Sequence, residues 1–74
     1  MTSKIQSILF DRTYWKTKDA RNWLIKNKFN PIKRVDKTLN FYRYRLRTPN
    51  KQRYYYRISN ILSKDIKLVI QYRR

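Results

Sequence analysis

Phe41-Tyr42-Arg43-Tyr44-Arg45-Leu46-Arg47 places an arginine at every second position. In an extended chain successive side chains point to opposite faces, so the segment sorts itself into two sides. Phe41, Arg43, Arg45 and Arg47 go one way, and Tyr42, Tyr44 and Leu46 go the other. A strand with one aromatic-apolar face and one arginine face belongs to a sheet packed on a single side.

Working outward, the C-terminal half repeats the pattern. Leu39 to Arg47 reads as the third strand, ended by Thr48-Pro49-Asn50. Arg53 to Ile58 reads as the fourth, with Tyr54, Tyr56 and Ile58 opposite Arg53, Tyr55 and Arg57. Ser59 to Asp65 reads as a longer connection with a helical turn at Asn60 to Leu62. Ile66 to Tyr72 is the fifth strand, with Ile66, Leu68, Ile70 and Tyr72 opposite Lys67, Val69, Gln71 and Arg73.

The N-terminal half supplies a first strand and the helix. Ile5 to Phe10 alternates with Ile8 and Phe10 on one face, and Asp11 to Lys16 forms a turn. Thr17 suits a helix N-cap, with Asp19 in the first turn where the helix dipole favours an anion. Ala20, Trp23, Leu24 and Asn27 recur at helical spacing, and Asn30-Pro31 breaks the pattern after Lys28. Trp15 is expected to pack as a staple on the helix start, and Trp23 to lie in the core. Ile32 to Val35, closed by Asp36-Lys37, reads as the second strand.

The order is β-α-β-β-β-β, one α+β domain over residues 1–74 with an antiparallel sheet of four to five strands and one helix on one face. The expected packed face comprises Ile8, Phe10, Ala20, Trp23, Leu24, Tyr42, Tyr44, Leu46, Tyr54, Tyr56, Ile66, Leu68 and Ile70.

Composition removes most chemistry. Without cysteine or histidine, disulfide staples and the usual thiolate or imidazole metal sites are excluded. General acid–base catalysis usually recruits His or a carboxylate with a shifted pKa. Here only Asp11, Asp19, Asp36 and Asp65 are present, in expected turns or at the helix start, where carboxylates cap and close turns. Glycine is absent as well, so no Gly-rich phosphate loop exists. The reading is non-enzymatic, with no cofactor and no small-molecule substrate. No apolar run is long enough to span a bilayer. The N-terminus lacks a secretory apolar stretch, and the helix's apolar stripe is needed for the core rather than for a membrane surface.

Charge is the strongest remaining signal. Twenty Lys and Arg stand against four Asp, a formal net charge of +16. An arginine-rich strand face is often only the solvated side of an antiparallel sheet, but a solubility face intersperses acids and needs no such excess. Guanidinium forks bind phosphate, and aromatic rings stack on unpaired bases. Phe41, Arg43, Arg45, Arg47, Arg53, Tyr55, Arg57, Lys67 and Arg73 are therefore the candidate nucleic-acid-binding residues. They form one patch if the third, fourth and fifth strands are neighbours. Lys18, Arg21, Lys26 and Lys28 on the helix and the Arg73-Arg74 tail offer further basic surface. DNA is placed before RNA as the partner. The alternative is a structural or adaptor protein of a virion or nucleoprotein assembly that docks an acidic protein surface, or self-associates through an edge strand.

One further pattern runs along the chain: Phe10-Asp11, then Ala20-Arg21-Asn22-Trp23-Leu24, then Tyr42-Arg43-Tyr44-Arg45. It resembles small uncharacterised proteins of large DNA viruses, and similar segments in tailed-phage proteins. Their shared pattern is a strand ending in Phe-Asp, an A-x-x-W-L helix and a Y-R-F/Y-R strand. Such sequences tend to carry Gly after the helix and before the last strand, where Asn27-Lys28 and Lys64-Asp65 stand here. The resemblance implies a viral protein of the infected cell or the virion and carries no assigned reaction; that it is not secreted is expected from the missing secretory stretch alone.

Overall fold

The computed structural model describes residues 3–32, 34–63 and 65–74. Strands β1 (Ser3–Asp11), β2 (Asp36–Lys37), β3 (Phe41–Arg45), β4 (Tyr54–Ser63) and β5 (Ile66–Arg73) join one helix, α1 (Thr17–Lys26). All strand pairs are antiparallel, in the order β2-β3-β1-β5-β4. The expected α+β class, one helix with a five-stranded antiparallel sheet, is the observed one.

Directly opposed residues share a face, so the register reads out each side. Ile8 opposes Tyr44 and Leu68, Phe10 opposes Tyr42 and Ile66, and Ile5 opposes Ile70. Ala20 and Leu24, one helical turn apart, seal this layer, and both are buried with Ile8, Phe10, Tyr44, Ile66 and Leu68. Trp15, Trp23 and Tyr44 meet the Phe10 ring edge-on at centroid distances of 4.9, 5.6 and 5.7 Å, the geometry aromatic quadrupoles favour. Trp15 also donates its indole N–H to Asp65 Oδ2 at 2.8 Å, which ties the helix entry to the β4–β5 turn.

Both helix ends differ from a side-chain-capped design. Thr17 lies inside the first turn rather than capping it; Lys16 is the N-cap and makes no side-chain cap bond. At the other end Lys28 takes φ of 63°. Phe29 N–H reaches Leu24 O at 2.8 Å and Lys28 N–H reaches Ile25 O at 3.1 Å. That bond pair, with Phe29 and Leu24 at its apolar ends, is a Schellman closure. Its left-handed position normally takes glycine, and this chain has none to give.

Three strand expectations need correction. Ile32 to Val35 does not form the second strand; the short β2 begins at Asp36 instead, and Lys33 lies outside the described residues. No helical turn forms at Asn60 to Leu62, because β4 runs through to Ser63, which opposes Ile66; Lys64 lies outside the described residues. Finally, β3 and β4 are not neighbours: β1 and β5 lie between them. The connection after Arg45 crosses the end of the sheet, held by Leu46 N–H on Gln6 O at 2.8 Å and by Arg74 N–H on Arg53 O at 2.9 Å.

The phase of β4 is also reversed. Tyr55 opposes Tyr72 and Arg57 opposes Ile70, which puts Tyr55 and Arg57 on the helix side. Tyr54 and Tyr56, expected in the packed face, lie on the far side with Arg73, Gln71 and Val69. A ten-residue helix is only about 15 Å long and seals the layer formed by β3, β1 and β5. The apolar alternation of β4 therefore reports something other than the helix. It extends a second apolar strip on the far face, where Leu9 and Val69 are buried.

Candidate nucleic-acid interface

The far face carries Phe41, Arg43 and Arg45 from β3, Ser7 and Leu9 from β1, and Lys67 and Arg73 from β5. Arginine is abundant there but partly committed. The β1–β5 register shifts between Ile5 and Ser7, and a bulge of this kind leaves one residue outside the ladder. That residue is Gln6. Gln6 and Ser7 are both fully buried. Gln6 Nε2 donates to Arg47 O at 2.7 Å, and the Ser7 hydroxyl donates to Gln6 Oε1. Arg43 closes the network, donating through Nε to Ser7 Oγ at 3.1 Å and through Nη2 to Gln6 Oε1 at 3.0 Å. Burial pushes the Arg43 guanidinium below its ordinary pKa; Arg45 adds to the drop and Asp36 opposes it.

Arg45 is paired as well, with Nη2 3.1 Å from Asp36 Oδ2. Phe41 is not an open stacking platform on this face, because Lys67 Nζ lies 5.1 Å from its ring centroid. Tyr55 stacks on Tyr72 at 5.3 Å and 19°, with Arg57 at 5.7 Å from the Tyr55 ring centroid, on the opposite side of the sheet. Arg47 and Arg53 fall outside the strands and are exposed. Arg53 and Arg73 meet Arg74 around an open cleft of about 580 Å³ at the strand ends. The nine expected residues thus divide among two sheet faces and the sheet end, rather than forming one patch.

A different cationic surface was not assembled from sequence. Lys37 opposes Tyr42, which turns it toward the helix side. There Lys37 and Arg34 face Lys18 and Arg21 of α1 across a cleft of about 750 Å³, floored by Tyr44 and Val35. Among the described residues no carboxylate lines it. The Tyr44 hydroxyl donates to Thr17 O at 3.3 Å. Burial raises the Tyr44 pKa, and the charge of Arg21 acts in the opposite direction. Lys18 and Arg21, three residues apart, share a helix face by spacing alone. Their meeting with Arg34 and Lys37 depends on how the chain folds back after Pro31, which no local pattern announces.

Three of the four carboxylates are used inside the fold. Asp11 Oδ1 accepts Thr13 N–H at 2.9 Å in the turn after β1, Asp36 holds Arg45, and Asp65 holds Trp15. Among the described residues no group of three or more potential metal-ligating side chains gathers, and no helix is long and apolar enough to cross a membrane. Neither a protein-family model, nor a curated protein, nor a solved structure matches the chain. The class that can be stated is a small, strongly basic α+β domain.

Proposed function

We propose that this is a non-enzymatic nucleic-acid-binding protein that grips the phosphate backbone with little sequence specificity. The observation that carries the reading is the charge asymmetry. Twenty cations face four carboxylates, and three of those four are engaged in turns or with named partners inside the fold. Basic residues remain on both sheet faces, on the helix and at the strand ends. Such a surface neutralises phosphates wherever it meets them and gains from counterion release. Genome packaging, condensation or protection fits this chemistry. The viral setting implied by the sequence resemblance, in the infected cell or the virion, would place DNA before RNA as the partner.

The test is binding of DNA and RNA across a salt series. Each phosphate contact should contribute a log–log slope of about −0.9 on duplex DNA and about −0.7 on single strands. Undetectable binding at low salt refutes the proposal, and a salt-insensitive affinity refutes its mechanism.

A second reading, docking to an acidic protein or self-association, is favoured by one observation. β4 is a ten-residue edge strand, and Ile58 on it is 64% exposed. Long edges are templates for added strands. Concentration-dependent self-association in the absence of nucleic acid, abolished by a proline within β4, is the result that would favour it.

A further inference from the structure

We infer that the cleft between α1 and residues 34–37 holds a single-stranded nucleic-acid segment, with phosphates among Lys18, Arg21, Arg34 and Lys37 and one unstacked base in the recess beside it. The inference rests on the nucleic-acid reading above and names the strand state and the site.

Three observations support it. The first is charge complementarity. The cleft of about 750 Å³ presents four cations from two chain segments and, among the described residues, no carboxylate in its lining. A concave site lined by one sign of charge focuses its field, so it attracts a polyanion more strongly than the same cations spread over a convex surface. On the far face, by contrast, Arg43 is bonded to Gln6 and Ser7, and Arg45 to Asp36.

The second observation is continuity with a partly apolar slot. A recess of about 280 Å³ is lined by Leu24, Phe29, Asn30 and Pro31, and shares Arg21, Ile25, Val35 and Tyr44 with the cationic cleft. A recess of mixed character, with Leu24, Phe29, Pro31 and Val35 beside the polar groups of Asn30 and Tyr44, opens next to the cations and matches the two halves of a nucleotide. Asn30 supplies donors and an acceptor for a base edge.

The third observation is shape. Bases in a duplex are stacked and paired, and reaching a recess requires flipping one out at a cost of about a few kcal/mol. A single strand offers splayed bases without that penalty. The concave geometry therefore selects the single strand, which the diffuse charge of the rest of the surface does not.

The experiment is fluorescence anisotropy with a labelled oligonucleotide, single-stranded and as its duplex, at several salt concentrations. Three variants are compared with the parent protein after thermal melts confirm that they fold. Arg21→Gln with Arg34→Gln removes two cleft charges. Lys4→Gln with Lys51→Gln removes two exposed charges elsewhere. Val35→Phe narrows the recess and the cleft floor it shares, without changing charge.

The expected result is tighter binding of the single strand than of the duplex at equal salt. The cleft variant should lose about tenfold or more single-strand affinity beyond the loss in the charge-matched variant. Its salt slope should shrink by about 1.4, two contacts' worth on a single strand. Val35→Phe should weaken single-strand binding and leave duplex binding unchanged. Equal losses in the two charge variants, or a preference for duplex, would overturn the inference while leaving the nucleic-acid reading standing. A polyglutamate chain that competes as well as the oligonucleotide, charge for charge, would overturn it too, since the base would then contribute nothing. No binding of either nucleic acid at low salt would end both the inference and the reading it rests on.

Discussion

The contacts of Gln6 and Arg43 make a measurable claim about which arginines hold the fold. Gln6 is fully buried, accepts from Arg43 Nη2 at 3.0 Å and donates to Arg47 O at 2.7 Å. Replacing it with leucine keeps most of the volume but removes both bonds and the one that Gln6 Oε1 accepts from the Ser7 hydroxyl. A hydrogen bond to a charged group contributes about 1.5–3 kcal/mol and a neutral one about 1 kcal/mol, so losing one charged and two neutral bonds in Gln6→Leu should destabilise by about 3.5–5 kcal/mol. Arg43→Met loses the same charged bond and a second one, at 3.1 Å to Ser7 Oγ, and should destabilise by about 3–6 kcal/mol. Because the two share a bond, the double variant should be milder than the sum of its parts by about 1.5–3 kcal/mol.

Urea unfolding, followed by circular dichroism and tryptophan fluorescence at constant ionic strength, reads this directly provided the m-values agree. Removing one positive charge also relieves self-repulsion, but that contribution appears with and without Gln6 and cancels in the cycle. Additivity within about 0.5 kcal/mol would refute the network. The functional corollary is separable. If Arg43 holds β1 rather than phosphate, Arg43→Met should leave the salt slope of nucleic-acid binding unchanged, whereas losing a true duplex contact would shift it by about 0.9.

Other outcomes follow from the same structure. Lys28→Gly should stabilise by about 0.5–1 kcal/mol, since a left-handed L-residue costs about 1–2 kcal/mol and the freer unfolded glycine returns part of it. The melting temperature should rise by about 2–8 °C, with no rise in Lys28→Ala; a fall in the glycine variant would contradict the Schellman closure. Trp15→Phe keeps an aromatic edge against Phe10 but loses the bond to Asp65, and should destabilise by about 1.5–3 kcal/mol in the same urea assay. Leu24→Ala, at a position only 1% exposed, should cost about 2–5 kcal/mol. Added salt should raise the melting temperature of the free protein, because it screens the self-repulsion of a +16 chain; a melting temperature that falls with moderate salt would contradict this.

The helix-side core was legible because each of its elements carries its own period. Ile8 and Phe10, then Ala20 and Leu24, then Tyr42 and Tyr44, then Ile66 and Leu68 alternate or recur as a strand or a helix should, and all enter one cluster. Local pattern cannot supply strand order. Alternation fixes which residues of a strand share a side but not which neighbour the strand meets, and that ambiguity separated β3 from β4. On β4 the two candidate faces are nearly equal in character, Tyr54, Tyr56 and Ile58 against Tyr55 and Arg57. Because the strand lies at the sheet edge, the far-face strip around Leu9 and Val69 decided its phase.

The bulge at Gln6 explains why the arginine stripe is not simply a solvent-facing surface. A polar residue in the middle of an apolar strand is ordinarily read as a solvent-facing position. Here the shift between Ile5 and Ser7 buries Gln6, and a buried amide must find partners or lose stability. Arginine meets that requirement: its five donors satisfy Gln6 and Ser7 together, and its stem can cover neighbouring apolar surface such as Leu9. Arg45 meets Asp36 in the same way. The stripe that announces a basic face is therefore partly the fold's own solution to a buried polar bulge in a chain with few acids. The cations that remain in the cleft beside α1 come from residues with no strand periodicity to advertise them. Excess charge locates a polyanion partner at the level of the whole chain, whereas the position of contact depends on which cations the fold has already used.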